Sequence, residues 1–152
     1  MEERNLIEGL NRDLARELAT VCRSIQQAAL ATGPAARDLR VLLRVEVMDD
    51  LFHALFLADR IAALGGMPTA TPAPFKTLRD AKEMLEYDLE VERQTIQHYT
   101  SRLHDAEGAW AVAIKARLER ILAEEAEHEQ KLHDLLDQQN AARPGAAGNT
   151  KR

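Results

Sequence analysis

The stretch Asp50-Leu51-Phe52-His53, with its counterpart Glu125-Ala126-Glu127-His128, decides the fold of this chain. Each stretch places a carboxylate and an imidazole three residues apart, deep inside a pattern that predicts an α-helix. Residues at i and i+3 project from the same face of a helix, so each pair can bind one metal ion. The two stretches therefore predict a helical protein with metal-binding side chains on two of its helices.

Breaker residues divide the chain into four predicted helices, over residues 3–32, 35–64, 77–105 and 109–139. The segment 67–75 carries three prolines, so we expect an extended connection between the second and third helices. Such a long crossover leaves those two helices parallel. The fold class is therefore an all-α four-helix bundle over residues 1–139, and the tail, 140–152, is predicted to be disordered.

Apolar residues recur at alternating spacings of three and four along each predicted helix, which is the pattern of a packed face. Near its middle, each apolar stripe is interrupted by acids or histidines. Helices of similar length in a bundle bring their midpoints to one level, so we expect the interrupting side chains to meet. These six residues are Glu17, Asp50, His53, Glu92, Glu125 and His128.

Four carboxylates in an apolar core are unstable unless they are paired or bound to metal. Two divalent cations would balance their four negative charges. Oxygen and imidazole ligands without a thiolate suit iron or manganese, with zinc as a competitor. The sequence therefore predicts a di-metal site in which the same six residues are ligands and catalytic groups. Glu46, one turn before Asp50, is expected to line the edge of the site without binding metal.

Several other polar residues are assigned to the surface or to packing. A solvated charged face is expected for Asp49, Glu124, Glu127 and Glu129. Three histidines lie off the stripes and are assigned to the surface: His98, His104 and His133. Trp110 is assigned to packing, and Cys22 is the only cysteine, which excludes an internal disulfide.

Composition narrows the class of protein further. The net charge of -5 argues against a nucleic-acid partner. No apolar run approaches the length of a membrane span, and the polar N-terminus does not have the pattern of a signal peptide. We therefore expect a soluble cytoplasmic protein.

Four segments resemble the helices of bacterioferritins. They are LNRDLAREL at 10–18, the run from His53-Ala54 through ADRI at 58–61 to LGGMP at 64–68, the third-helix pair EML and DLEVE at 83–85 and 88–92, and ILAEEAEH at 121–128. The resemblance covers residues 5–136 and implies a ferritin-like di-iron protein that oxidises ferrous iron with dioxygen or peroxide. It also implies that Glu17 and Glu92 are terminal ligands, that Asp50 and Glu125 bridge, and that each histidine holds one metal.

The chain departs from that family in four ways. Asp50 stands where the family has glutamate, and its shorter side chain is expected to bridge unequally or not at all. Leu51 replaces the methionine that ligates haem, so haem binding is not expected. Ser24 replaces a tyrosine usual near the site, which removes a hydrogen-bonding partner. A fifth helix is not expected after residue 139, which leaves assembly into a storage shell open.

Three functions remain open at this point. The first is iron oxidation for storage or detoxification, and the second is metal binding without turnover. The third is a rubrerythrin-like peroxidase, which would need an external electron donor because the chain lacks paired cysteines. The substitutions Glu92→Gln and Glu125→Gln are both expected to abolish metal binding and to stabilise the metal-free protein.

The second predicted helix carries a second apolar face besides the one that holds the site residues. This face comprises Leu42, Val47, Phe52, Leu55 and Phe56. Exposed apolar patches of this size usually mark interfaces, so we expect a homodimer or a larger homo-oligomer.

Overall fold

Within residues 2–105 and 111–142, which the computed structural model describes, the chain forms four α-helices. They are α1 (Glu2–Leu30), α2 (Ala36–Ala63), α3 (Ala81–Asp105) and α4 (Ala111–Ala141). The predicted all-α four-helix bundle is confirmed. The predicted start of the fourth helix and Trp110 lie outside the described residues. Asn140 and Ala141 still belong to α4, and the remainder of the predicted tail, 143–152, also lies outside the described part.

Glycines end the first two helices where the sequence predicted breaks. Gly33 has a φ of 89° and Gly65 a φ of 78°, backbone angles that favour glycine. After α2, the amide of Gly65 donates to the carbonyl of Ala62, and the amide of Gly66 donates to that of Ile61. These two bonds form a Schellman motif, which satisfies carbonyls at the helix end and turns the chain away.

The crossover after α2 runs along α1 for the length of the bundle. The amide of Thr69 donates to Asn11 near the start of α1, and that of Ala73 donates to the carbonyl of Ala15. At the far end, the amide of Thr32 donates to the carbonyl of Arg79. The chain thus returns to the end at which α2 began, so α2 and α3 run parallel, as predicted.

Helix α3 begins later than the sequence predicted. Residues 77–80 remain extended, and Asp80 forms a parallel bridge with Thr32. The Asp80 carboxylate accepts hydrogen bonds from the backbone amides of Lys82 and Glu83 at 3.0 and 3.2 Å. Asp80 therefore caps the helix, which begins at Ala81.

Two apolar clusters fill the bundle, one toward each end. One includes Leu39, Leu43, Met84, Leu85 and Leu132. The other includes Leu10, Leu57, Ile61, Leu118 and Ile121. Polar side chains occupy the middle of the bundle, between the two apolar clusters, and the candidate site lies there.

One line of apolar side chains on α2 faces away from this core. We call it the α2 outer stripe, and it consists of Val41, Val45, Met48, Phe52 and Leu55. Each of these side chains is about half exposed or more. Of the face predicted from the sequence, Phe52 and Leu55 are exposed, whereas Leu42 and Phe56 pack against the core. Among the described helices, none has both the length and the apolar character needed to cross a bilayer.

Candidate metal centre

The six residues that interrupt the stripes meet at the middle of the bundle. Helices α1 and α3 each contribute one carboxylate, and α2 and α4 each contribute a carboxylate and a histidine. All six side chains are buried, with exposed fractions between 0% and 5%. The six are Glu17, Asp50, His53, Glu92, Glu125 and His128. The structure thus brings together every residue that the sequence singled out, while their role as ligands remains a prediction.

The six side chains form two overlapping groups. In the first group, Glu17, Asp50, His53 and Glu125 each place a ligand atom within 4.8 Å of the others. In the second group, Glu92, Glu125 and His128 do the same. Glu125 belongs to both groups, so this one carboxylate lies where it could contact two metal ions.

Asp50 belongs to the first group only. Its Oδ1 atom lies 3.9 Å from Nδ1 of His128, the nearest approach recorded to the second group's histidine. The sequence predicted that an aspartate at this position bridges unequally or not at all, and this role stays a prediction. The group that contains His53 therefore has four candidate ligands, and the group that contains His128 has three.

Both histidines turn one ring nitrogen inward and the other toward an outer carboxylate. Nδ1 of His53 lies 2.8 Å from Glu125, and its Nε2 lies 2.8 Å from Glu124. In His128, Nδ1 lies 3.5 Å from Glu125, and Nε2 lies 3.4 Å from Asp49. When Nε2 carries the proton and donates a hydrogen bond to the outer carboxylate, Nδ1 is unprotonated and its lone pair points at the site. This is the tautomer that can bind a metal through Nδ1.

The assignment of Glu124 to a solvated face was wrong. Its side chain is only 25% exposed, and it accepts hydrogen bonds from His53 and from Arg120. The error arose because position 124 lies beside the inward stripe of α4, and a glutamate is long enough to reach the neighbouring helix. Asp49 is half exposed and also contacts a site histidine, whereas Glu127 is exposed, as expected.

The Glu124→Ala variant is expected to bind metal roughly 10- to 100-fold more weakly, because His53 would lose the partner that fixes its ring. Competition titration with zinc and a chromogenic chelator measures this affinity. Glu127→Ala is the matched control, since it removes a neighbouring carboxylate that faces solvent. Equal affinities for the two variants would show that Glu124 does not orient the site.

Tyr99 is a site residue that the sequence analysis did not single out. It is almost completely buried on α3, and its hydroxyl donates a hydrogen bond to Glu17. Ser24 offers no tyrosine hydroxyl, but Tyr99 on another helix supplies one to the site. The inward position of Tyr99, seven residues after Glu92, was the available signal, because a buried tyrosine hydroxyl needs a polar partner.

A buried polar layer that the sequence did not predict lies beside Glu92. Arg23 places Nε 2.9 Å from Asp88, and Gln27 donates to the same carboxylate at 2.9 Å. Glu46 lies at the edge of the site, as predicted, with Oε1 3.4 Å from Nζ of Lys131. Together with Asp50, Glu92 and His128, it lines a cavity of about 10 Å³, which is room for about one water molecule.

Burial strongly favours the neutral form of two of the carboxyl groups. The pKa of Glu92 is raised well above its ordinary value by burial and then by the charge of Glu125. Burial and the charges of Glu17 and Glu125 raise the pKa of Asp50 in the same way. Without metal, these groups therefore retain protons that would be lost in water.

Glu125 and the two histidines take the opposite, charged forms. Burial would raise the pKa of Glu125, but its close contacts with His128 and His53 outweigh burial and bring the pKa to about 2. Burial would likewise lower both histidine pKa values. Their contacts with the carboxylates instead raise the pKa of His53 to about 11 and that of His128 to about 9. Protons thus neutralise the cluster in the absence of metal.

Several atoms of the cluster lack a hydrogen-bond partner among the described residues, although they are buried. They include Nδ1 of His53, Oε1 of Glu125 and Oε2 of Glu92. The first two atoms are 2.8 Å apart but are not aligned as donor and acceptor. An unpaired buried polar group costs about 1–3 kcal/mol, and a charged one costs more. A cation between these atoms would satisfy them all, so the side chains fit a metal centre.

A four-helix bundle with buried carboxylates from all four helices and buried histidines from two of them defines the class of ferritin-like proteins. The ferritin-like domain family matches residues 7–141, so the chain belongs to the ferritin family. Bacterioferritin from Streptomyces coelicolor is 29% identical over 133 residues, which are 87% of this chain and 80% of that protein.

Solved structures agree with this family. A ferritin-like diiron-carboxylate protein from Bacillus anthracis has a TM-score of 0.85 and 36% identity, with 90% of this chain and 98% of that chain covered. The dodecameric thioferritin from Bacteroides fragilis, described as a bacterioferritin-related protein, has a TM-score of 0.83 and 26% identity. That match covers 91% of this chain and 88% of the thioferritin.

Proposed function

We propose that this protein binds ferrous iron at the candidate metal centre and oxidises it, for iron storage or detoxification. The observation that carries the proposal is the position of Glu125 in both groups of buried ligand atoms. One carboxylate between two such groups supports a pair of metals rather than two separate sites. The diiron-carboxylate relative from Bacillus anthracis, at 36% identity, favours iron over manganese or zinc.

The protein's own residues supply binding, charge balance and orientation. Glu17 would bind the metal beside His53, Glu92 would bind the one beside His128, and Glu125 would contact both. Asp50 would add a further carboxylate on the His53 side. The bound pair would supply one-electron oxidation at each ion, with dioxygen or peroxide as the two-electron acceptor.

The outer carboxylates and Tyr99 would keep this arrangement in place. Glu124 and Asp49 hold the outer nitrogens of the histidines, so the inner nitrogens face the site. Tyr99 holds Glu17 through its hydroxyl, which limits the movement of that carboxylate. Such preorganised supporting side chains raise metal affinity because less order has to be imposed on binding.

Asp50 favours a second candidate function, which is metal binding without turnover. Asp50 is shorter than the glutamate expected at its position and lies 3.9 Å from Nδ1 of His128, and the group that contains His128 has three candidate ligands against four in the other. A weakly held second ion would leave the pair incomplete at low iron concentration. The protein would then act as a metal-binding relative without ferroxidase activity, and zinc or manganese could occupy the stronger position.

Ferrous iron added to the metal-free protein, followed by exposure to air, tests the proposal. Ferric absorbance and oxygen consumption are recorded together by stopped flow. We expect oxidation faster than that of the same iron in buffer, saturating at two ions per chain. Tight ferrous binding without accelerated oxidation would favour the second candidate function. Saturation below one ion per chain would contradict both.

The pH dependence of stability should differ between the metal-free and metal-bound proteins. The folded-state pKa values of His53 and His128 are raised from 6.5 to about 11 and about 9. A group whose pKa is raised by folding adds stability below its unfolded pKa, and this stability is lost as pH rises through the folded value. Glu125, with its pKa lowered to about 2, loses its contribution only in acid and does not oppose this trend.

The melting temperature of the metal-free protein should therefore fall as pH rises from about 6.5 to about 9. Bound metal replaces the protons and binds better when its ligands are deprotonated. The melting temperature of the metal-bound protein should therefore fall less over this pH range. Calorimetry across this range, with zinc as the metal, measures the difference between the two melting temperatures. A difference that stays constant with pH would contradict competition between protons and metal.

We also infer that the chain assembles into at least a homodimer through the α2 outer stripe. Its residues recur every three or four positions over four turns, and each side chain is about half exposed or more. The related thioferritin from Bacteroides fragilis is dodecameric, so oligomers occur among relatives of this chain.

A further inference from the structure

A second cavity, separate from the metal cluster, lies between α1, α3 and the crossover. Its volume is about 170 Å³, which is room for several water molecules. The crossover contributes an apolar wall that includes Pro74 and Phe75. The polar side chains that face this wall include Arg16, Arg23 and His98. A cavity with one apolar wall and cationic groups on the other is suited to holding a small anion.

The polar lining offers mainly hydrogen-bond donors. Each guanidinium has five N–H donors in a planar fork, and each of the two arginines lies beside one carboxylate. Arg16 donates to Asp13 at 3.0 Å, and Arg23 lies 2.9 Å from Asp88. The side chain of Arg23 is only 3% exposed, and its Nε is not aligned with an acceptor. A buried cation in this state favours an additional oxygen ligand.

His98 adds a polar group on the same side of the cavity. The sequence assigned it to the surface, but the structure shows it half buried, with Nδ1 buried and without a hydrogen-bond partner. Burial and the charge of Arg16 lower the pKa of His98, and Arg102 adds to the effect. The positive charges of the two arginines therefore outweigh the opposing charge of Asp13 in their effect on the pKa of His98.

The charges around the cavity are more positive than the chain as a whole. Four cationic groups lie in or beside it. Arg16 and Arg23 line the cavity, Lys76 lies 5.3 Å from the centre of the Tyr87 ring, and the charge of Arg102 acts on His98. Their carboxylate neighbours are Asp13, Asp88 and, on the solvent side, Glu90, which accepts from Gln94. In a chain of net charge -5, this group of cationic side chains makes the cavity more favourable to an anion than the surface as a whole.

We propose that this cavity binds a small oxyanion of the phosphate class between Arg16, Arg23 and His98. Arg23 also lines the small cavity that contains Glu92, so the anion would lie one side chain away from the candidate metal centre. The inference does not rest on the proposed function, because the cavity residues are not among the six candidate ligands.

Calorimetric titration with inorganic phosphate at constant ionic strength tests the proposal. It is done on the full chain as purified and again after chelator treatment, so that binding to a metal is excluded. We expect saturable binding of one phosphate per chain in both cases. Replacing Arg16 by glutamine should weaken it about tenfold or more, because a hydrogen bond to a charged group is lost. His98→Ala should weaken it as well.

Arg93→Gln is the matched control. Arg93 lies on α3, the helix that carries His98, but it pairs with Glu129 away from the cavity. This control should leave phosphate affinity unchanged. All variants should keep their zinc affinity and melting behaviour, which separates loss of the anion site from loss of the fold. Absence of phosphate binding, or an equal loss in Arg93→Gln, would overturn the proposal, because only general ionic attraction would then be at work.

Discussion

The Glu125→Gln variant is expected to lose both metals, which is the largest effect of any single substitution in the centre. Glu125 is the one carboxylate that belongs to both groups of candidate ligand atoms. Glutamine has nearly the same shape but carries no charge and is a poor metal ligand. Each metal would lose a ligand, and the centre would lose the charge that stays ionised even in the absence of metal. We expect affinity to fall by at least about 100-fold.

Titration with cobalt or zinc, followed by metal analysis after gel filtration, measures this loss. Glu127→Gln is the matched control, two residues away on an exposed face of α4. Glu17→Gln should weaken metal binding less at the group that contains His128, because Glu17 belongs only to the group that contains His53. If Glu125→Gln retained one tightly bound metal per chain, the two groups would be independent sites.

In the metal-free state, Glu92→Gln and Glu125→Gln should change stability in opposite directions, although the sequence predicted the same effect for both. Glu92 has a strongly raised pKa because it is buried, so glutamine replaces a group that is already neutral and Glu92→Gln should keep or gain stability. Glu125 is ionised and holds two histidines whose pKa values are raised. Its replacement should lower the melting temperature. The expectation of added stability therefore holds for Glu92 and is reversed for Glu125.

The helix period explains why the six central residues were predictable. A polar residue at an inward position disrupts an apolar stripe, as Glu17 and Glu92 do, and this signal depends only on spacing along one helix. Proline marked the crossover in the same local way. These features require no knowledge of how one helix is rotated against another, so they could be inferred from a single chain.

The residues that were missed depend on contacts between helices. Glu124 reaches His53 from a position beside the stripe of α4, and Arg23 meets Asp88 across the boundary between α1 and α3. Tyr99 lies seven residues after Glu92, at an inward position, but its partner on α1 could not be inferred from the period of α3. Long polar side chains make such contacts only when the register of neighbouring helices allows them, and the spacing within one helix does not determine that register.

Phe52→Glu is expected to dissociate the protein into monomers while the metal centre stays intact. Phe52 lies within the α2 outer stripe and is 54% exposed, next to Met48 and Leu55 on the same face. His53, the following residue, points inward and is fully buried, so the two side chains serve opposite faces of α2. An acid in the middle of an apolar interface would be desolvated without a partner in both copies, which is strongly unfavourable.

Light scattering coupled to gel filtration measures the effect as a mass. We expect the unmodified protein at twice the 17.0 kDa of the chain or more, and Phe52→Glu at the mass of one chain. Val112→Glu is the matched control, because Val112 is an apolar residue on α4 that is 80% exposed and lies outside the stripe. An unmodified protein that is monomeric would refute the dimer. Equal dissociation by both variants would assign the interface elsewhere, and a loss of zinc binding in Phe52→Glu would mean that the centre depends on assembly.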